Sequence, residues 1–177
     1  MSTFVSRFLR AIRLEAAVYE EVEADRRATP QALLVVALSS LAGGLGLGGI
    51  SGYDPRGLVI GTLAALIGWL AWATLIYLVG VRLLPESQTR ADVGELLRTI
   101  GFASAPGIVR VAGLVPGFAW PVYVLSSIWT LAAMVVAVRQ ALDFTTTRRA
   151  IAVCAAGWVL VLVVAAVMGV MFAPTVQ

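Results

Sequence analysis

The chain has 177 residues, of which 60% are hydrophobic and 13% charged, and its mean hydropathy is +0.93. A soluble domain is about 45–50% apolar and about 25% charged, so the composition excludes an ordinary water-soluble globule and points to lipid as solvent. A formal charge of +3 carried only by arginines, no His, no Lys and a single Cys exclude a zinc site, a disulfide framework, a Schiff-base or P-loop lysine and a nucleic-acid-binding stripe, and no cofactor is implied.

Residues 3–27 are expected to form one amphipathic helix, because Phe4, Val5, Phe8, Leu9, Ile12, Ala16, Tyr19 and Val22 share a face at helical spacing. Arg7, Arg10 and Arg13 lie opposite, and Glu20, Glu21, Glu23 and Asp25 make the second half acidic. No short apolar stretch and cleavage site follow the charges, so this is not read as a secretory signal. The favoured reading is a helix on the membrane surface with Arg7, Arg10 and Arg13 at anionic headgroups; the alternative is a solvated cap packed on the bundle.

Pro30 suits a helix start and opens a first span at about 31–50. The run Gly43-Gly44-Leu45-Gly46-Leu47-Gly48-Gly49 lacks the preceding strand and following lysine of a phosphate loop, so Gly44-xxx-Gly48 is read as close helix packing. After a turn around Asp54-Pro55, a second span covers about 57–84, where Gly57-xxx-Gly61 repeats the small-residue spacing. Thr89 and Asp92 fit the start of another helix. It leads through Glu95 and Arg98 into a third stretch at about 97–115, interrupted by Pro106 and containing Arg110. Its seven strongly apolar residues each favour insertion by about 0.5 kcal/mol against about 3 kcal/mol for a central arginine, so it inserts only with help from its neighbours. Pro116-Gly117 makes a turn before a fourth span at about 118–138; a short charged loop precedes the fifth, at about 150–172, where Ala165-xxx-Gly169 permits close packing.

The expected fold is therefore all-α: a cytoplasmic or interfacial helix at 1–29, a polytopic bundle of five transmembrane helices at 30–172, and a short tail at 173–177. With the N-terminus inside, five crossings put eleven arginines on the cytoplasmic side and leave Arg56 and Arg110 outside. Four crossings with a re-entrant third stretch give nine against four, so the charge rule favours five and a C-terminus outside. An arginine-only basic set fits a GC-rich genome and thus a prokaryotic cytoplasmic membrane.

Arg110, with Ser104, Pro106 and Gly107, is the leading functional candidate, because a guanidinium within a membrane segment faces a polar cavity or ion path and Pro106 frees a carbonyl to line one. The competing and favoured reading is that Arg110 lies near the outer end of its span and snorkels to the headgroups. Arg98 is expected to pair with Glu95 at the cytoplasmic mouth, and Arg139 with Asp143 at i, i+4. Ser126, Ser127 and Thr130 either bond between helices or, more usually, to their own backbone. Cys154 reads as a packing residue. With no His and no acidic residue inside a span, no catalytic or metal-binding constellation is expected.

The stretch Leu96-Leu97-Arg98-Thr99-Ile100-Gly101-Phe102-Ala103-Ser104-Ala105-Pro106, together with the order of elements, resembles the Yip family of Ypt/Rab-interacting membrane proteins in a compact bacterial form. Phe102 stands where the eukaryotic pattern favours Tyr, and the Asp-Leu-Tyr-Gly-Pro signature is missing. The resemblance implies a non-enzymatic protein that organises or shapes the membrane or acts as an adaptor for traffic or transport. Its partners would be the bilayer and other membrane proteins or further copies of itself. The alternative is a small solute or ion transporter or channel subunit with Arg110 on an anion path.

Overall fold

A computed structural model describes residues 3–51 and 54–171, with side chains described for 3–48 and 54–163. Among these the regular structure is all helical: α1 (Phe4–Ile12), α2 (Ala16–Ala24), α3 (Thr29–Ser51), α4 (Pro55–Tyr77), α5 (Val93–Ala103), α6 (Ala119–Ala141) and α7 (Thr147–Met171). A π-helical turn, Leu78–Leu83, extends α4, and a 3-10 helix, Ala105–Leu114, follows α5.

The N-terminal segment is two helices rather than the single one its periodicity suggests. Leu14 adopts φ 60° between them, a left-handed conformation that costs a non-glycine residue about 1 kcal/mol. The reversal stacks the basic half of the segment on the acidic half. Arg7 donates to Glu21 at 2.9 Å and pairs with Asp25 at 2.8 Å, while Arg10 pairs with Glu21 at 2.6 Å and Glu15 at 3.0 Å. Tyr19, Val18 and Val22 of α2 are completely buried.

The stretch expected to be one span at 97–115 is also divided. Asp92 and Glu95 form a reciprocal capping box that starts α5; Thr89 instead donates to the Leu142 carbonyl at 2.9 Å. Ahead of Pro106 the α conformation is disfavoured and an amide donor is lost, so α5 stops and the chain continues as a 3-10 helix. Ten residues of 3-10 helix rise about 20 Å, against about 15 Å for α-helix. The elongated segment runs parallel to α3. A Cβ on Gly101 would lie 2.6 Å from that of Ala32, one on Gly107 3.1 Å from that of Ser39, and one on Gly113 3.0 Å from the Gly46 carbonyl oxygen. Gly117, at φ 82°, turns the chain into α6.

The core is concentrated toward the end of the bundle where α3 begins. Leu96, Ile100, Phe102, Val138 and Leu142 are at most 2% exposed there, beneath α2. Trp69 of α4 donates to the Leu97 carbonyl at 3.0 Å. Farther along, α4, α6 and α7 turn Ile60, Ile67, Leu125, Ile128, Val159 and Leu162 outward, an apolar girdle that suits acyl chains. Arg26–Gly48, Pro55–Leu83 and Ala119–Ala141 are each long and apolar enough to cross a membrane. The α7 helix has 25 residues, about 37 Å by its rise.

The expected glycine pairs are used unevenly. A Cβ on Gly44 would run into Leu58 of α4, whereas among the described residues one on Gly48 or Gly61 would meet nothing within 4 Å, and one on Gly57 would meet the Asp54 side chain first. Among the described glycines the tightest approach is at Gly46, where a Cβ would strike the Arg110 carbonyl oxygen. Ala165 and Gly169 lie outside the described side chains.

Candidate functional site

Two arginines on the α5 segment organise the polar chemistry inside the bundle, and they do so at different levels. In a 3-10 helix residues three apart eclipse one another. Gly107, Arg110 and Gly113 therefore form one line, and that line faces Ser39, Gly43 and Gly46 of α3. Ser104 stands at its head, and its carbonyl accepts from the Ser39 hydroxyl at 2.7 Å. Pro106 and Gly107 are buried beside it.

The Arg110 side chain crosses the α3 seam toward α6. Its Cδ passes 3.5 Å from where a Cβ on Gly43 would sit, so the glycine provides the passage. Nε donates to Ser126 Oγ at 3.1 Å and Nη2 to Ser127 Oγ at 3.3 Å. The guanidinium carbon lies 4.9 Å from the centre of the Tyr123 ring, where the negative face of the π system attracts it. Ser126 and Ser127 also donate to the Tyr123 carbonyl, at 3.1 and 2.7 Å. The two serines thus bond both to their own helix and across to another, and Thr130 bonds to its own, at the Ser126 carbonyl. Among the described residues no carboxylate forms an ion pair with Arg110. The result is a positive charge held by hydroxyls and an aromatic face within an apolar bundle, chemistry suited to an anionic group.

Arg98 is elsewhere and does a different job. It is 5% exposed and does not pair with Glu95, whose carboxylate is occupied by the Asp92 amide. Its Nε donates to the carbonyls of Val22 and Glu23 at 2.9 and 3.0 Å, and Nη2 also donates to the Glu23 carbonyl. The guanidinium therefore caps the last turn of α2, where unpaired carbonyls and the negative end of the helix dipole favour a cation. Arg139 departs from expectation in the same way. It donates to the carbonyls of Phe144 and Thr145 and to the Thr147 hydroxyl rather than to Asp143.

Beneath α2, Glu20, Glu23, Glu95 and Asp143 line an open cavity of about 420 Å³ with Arg139 and Phe144. Burial and the negative charges of Glu95 and Asp143 push the Glu23 carboxyl up to about 7, against the pull of the Arg98 guanidinium in the other direction. On the other face of α2, the hydrogen bond from Arg7 holds Asp25 below its ordinary value. Among the described residues no group of acidic, His or Cys side chains is arranged to hold a metal ion.

Arg7 and Arg10, expected to face headgroups, are engaged by carboxylates of α2, while Arg13 is exposed. The reversal of charge between the two halves of the segment is the signal for that pairing. The Ser126, Ser127 and Tyr123 cradle has no comparable signal, because these residues lie on a separate helix.

The family model of the Yip1 domain matches residues 12–168 of the chain. No curated protein and no solved structure matches it.

Proposed function

This chain belongs to the Yip1 domain family, and from that premise we propose that it is a non-enzymatic membrane organiser that crosses the bilayer five times and wedges α1 into one leaflet. The observation that carries the wedge is the outer face of α1. Val5 is 61% and Leu9 46% exposed, next to exposed Arg13, while Ala11 and Arg7 turn inward. A short helix with its apolar face at the acyl boundary spreads the headgroups of one leaflet. Because α1 is tied to α2, and α2 to the bundle through Arg98, that displacement is anchored rather than transient. Family membership supports the wider role in membrane organisation or as an adaptor for membrane traffic.

Five crossings draw support from the parallel course of the α5 segment along α3, which covers the depth between Ala32 and Gly46, about 21 Å of helix. With α7 as the last crossing, the arginine distribution favours a cytoplasmic N-terminus and an external C-terminus in a prokaryotic cytoplasmic membrane. A reporter that works only in the cytoplasm, fused at Gln177, is expected to be inactive; strong activity refutes this topology.

Reconstitution tests the wedge. Full-length protein in anionic liposomes is expected to tubulate or shrink them as the protein-to-lipid ratio rises, and Val5→Glu with Leu9→Glu to abolish this while the bundle stays folded. Vesicles unchanged at every ratio overturn the reading. A second reading, a subunit that passes or binds a small anion, is favoured by Arg110, whose charge is met by hydroxyls and an aromatic ring instead of a carboxylate. Anion flux that disappears with Arg110→Leu supports it, and flux-free vesicles dismiss it.

A further inference from the structure

The segment made of α1 and α2 is joined internally by ion pairs and meets the rest of the bundle through two unlike contacts. One is apolar: Val18, Tyr19 and Val22 are completely buried. The other is the polar cavity at the C-terminal end of α2, where Glu23 is half-buried.

We propose that a proton on Glu23 sets how tightly the α1–α2 cap is seated, so that acidification clamps the cap and deprotonation loosens its C-terminal end. The charges facing Glu23 come from each element packed around it. Its own helix supplies Glu20, α5 supplies Glu95 and Arg98, α6 supplies Arg139, and the loop after α6 supplies Asp143. From α1, Arg7 and Arg10 are bound to Glu21, two residues from Glu23 and thus on the other side of α2. Arg26 and Arg27, in the turn after α2, are exposed. Among the described residues Arg98 and Arg139 bond to backbone carbonyls rather than forming ion pairs, and their charges offset only part of the four carboxylates around the cavity. Such a set is relieved most simply by protonating its most buried member. Glu20 and Asp143 are exposed and Glu95 is engaged by the Asp92 amide, which leaves the half-buried Glu23, whose carboxyl is pushed up to about 7.

The sign follows from linkage. A carboxyl whose value is raised in the seated state binds a proton there that it loses when the cap lifts, so the stability it contributes is full below about 4.5 and is lost as the pH rises through about 7. The buried apolar contacts keep the cap from leaving altogether. The device is therefore a change in local opening, and it rests on the geometry of the cap rather than on the leaflet-wedge reading.

Amide hydrogen exchange on the full-length protein in nanodiscs, corrected for the intrinsic pH dependence of exchange, tests it. Protection of α2 amides is expected to fall by about tenfold between pH 5.5 and 8, less than the full shift of the carboxyl would give, because water screens its open side. Protection within α6 is expected to stay constant. Glu23→Gln is expected to hold α2 at the protected level at every pH. Should that variant fail to fold, Asp143→Asn, which keeps a residue that tolerates the φ of 52° at this position, is expected to move the transition to lower pH. Wild-type α2 protection that does not change with pH, an unchanged slope in Glu23→Gln, or an unmoved transition in Asp143→Asn overturns the proposal.

Discussion

Arg98 and Arg110 lie on consecutive elements of the same segment, yet they stabilise the protein by different physics. Arg98 is almost wholly buried and donates to carbonyls at the end of α2 that lack intrahelical partners. Arg110 is only partly buried and reaches hydroxyls that already bond to their own helix. What a buried cation contributes therefore depends less on its charge than on what is left unsatisfied when it is removed.

The largest perturbation of this pair is steric. Gly46→Leu forces a side chain into the Arg110 backbone and is expected to destabilise by about 3 kcal/mol or more, read as a lowered thermal midpoint in detergent. Comparable damage from Gly48→Leu, whose Cβ meets nothing within 4 Å among the described residues, would show that close packing against α3 is not centred on Gly46. Next comes Arg98→Leu. It strands the carbonyls of Val22 and Glu23 and is expected to cost about 2–3 kcal/mol, appearing as lost amide protection across α2, with Arg98→Lys recovering only part because one ammonium cannot span the two carbonyls so well.

Arg110→Leu is expected to be milder. Ser126 and Ser127 keep their bonds to the Tyr123 carbonyl, so the expected loss is about 1 kcal/mol, from two hydrogen bonds and a cation–π contact, and insertion is retained. A melting shift as large as that of Arg98→Leu would mean the seam arginine is structural after all. The last effect concerns acid. Asp25 is held below its ordinary value by Arg7, so its contribution is present above the usual carboxylate range and is lost as the pH falls through the lowered value. The cap is thus expected to tighten on mild acidification through Glu23 and to loosen again in strong acid. Substituting Asp25→Asn should remove only the second transition in a pH titration of α2 exchange.

Several features are legible in the amino-acid sequence. A helix start near Asp92, the proline-broken stretch after Arg98 and the turn at Pro116-Gly117 follow from local chemistry, although the sequence spacing put the cap at Thr89 with Asp92 where the structure uses Asp92 with Glu95. The reversal at Leu14 is not legible, because a leucine in left-handed backbone has no sequence signature and the apolar periodicity runs through it. Nor are the partners of Arg98 and Arg139. Charge spacing along a helix suggests Glu95 and Asp143, but Arg98 meets unpaired carbonyls at the end of α2 and Arg139 those of the loop after α6, and Glu95 is already used by its own cap.

The solvent and the class of fold are properties of the sequence alone. Long apolar helices, punctuated by prolines and glycines, follow from local composition and from the bilayer's intolerance of unpaired backbone. Tertiary packing was needed to select which glycines are touched, which arginine caps and which one bridges, and to bring four carboxylates around one cavity. These depend on the register between helices far apart in the chain, and register is set by packing across the whole bundle rather than by any one segment.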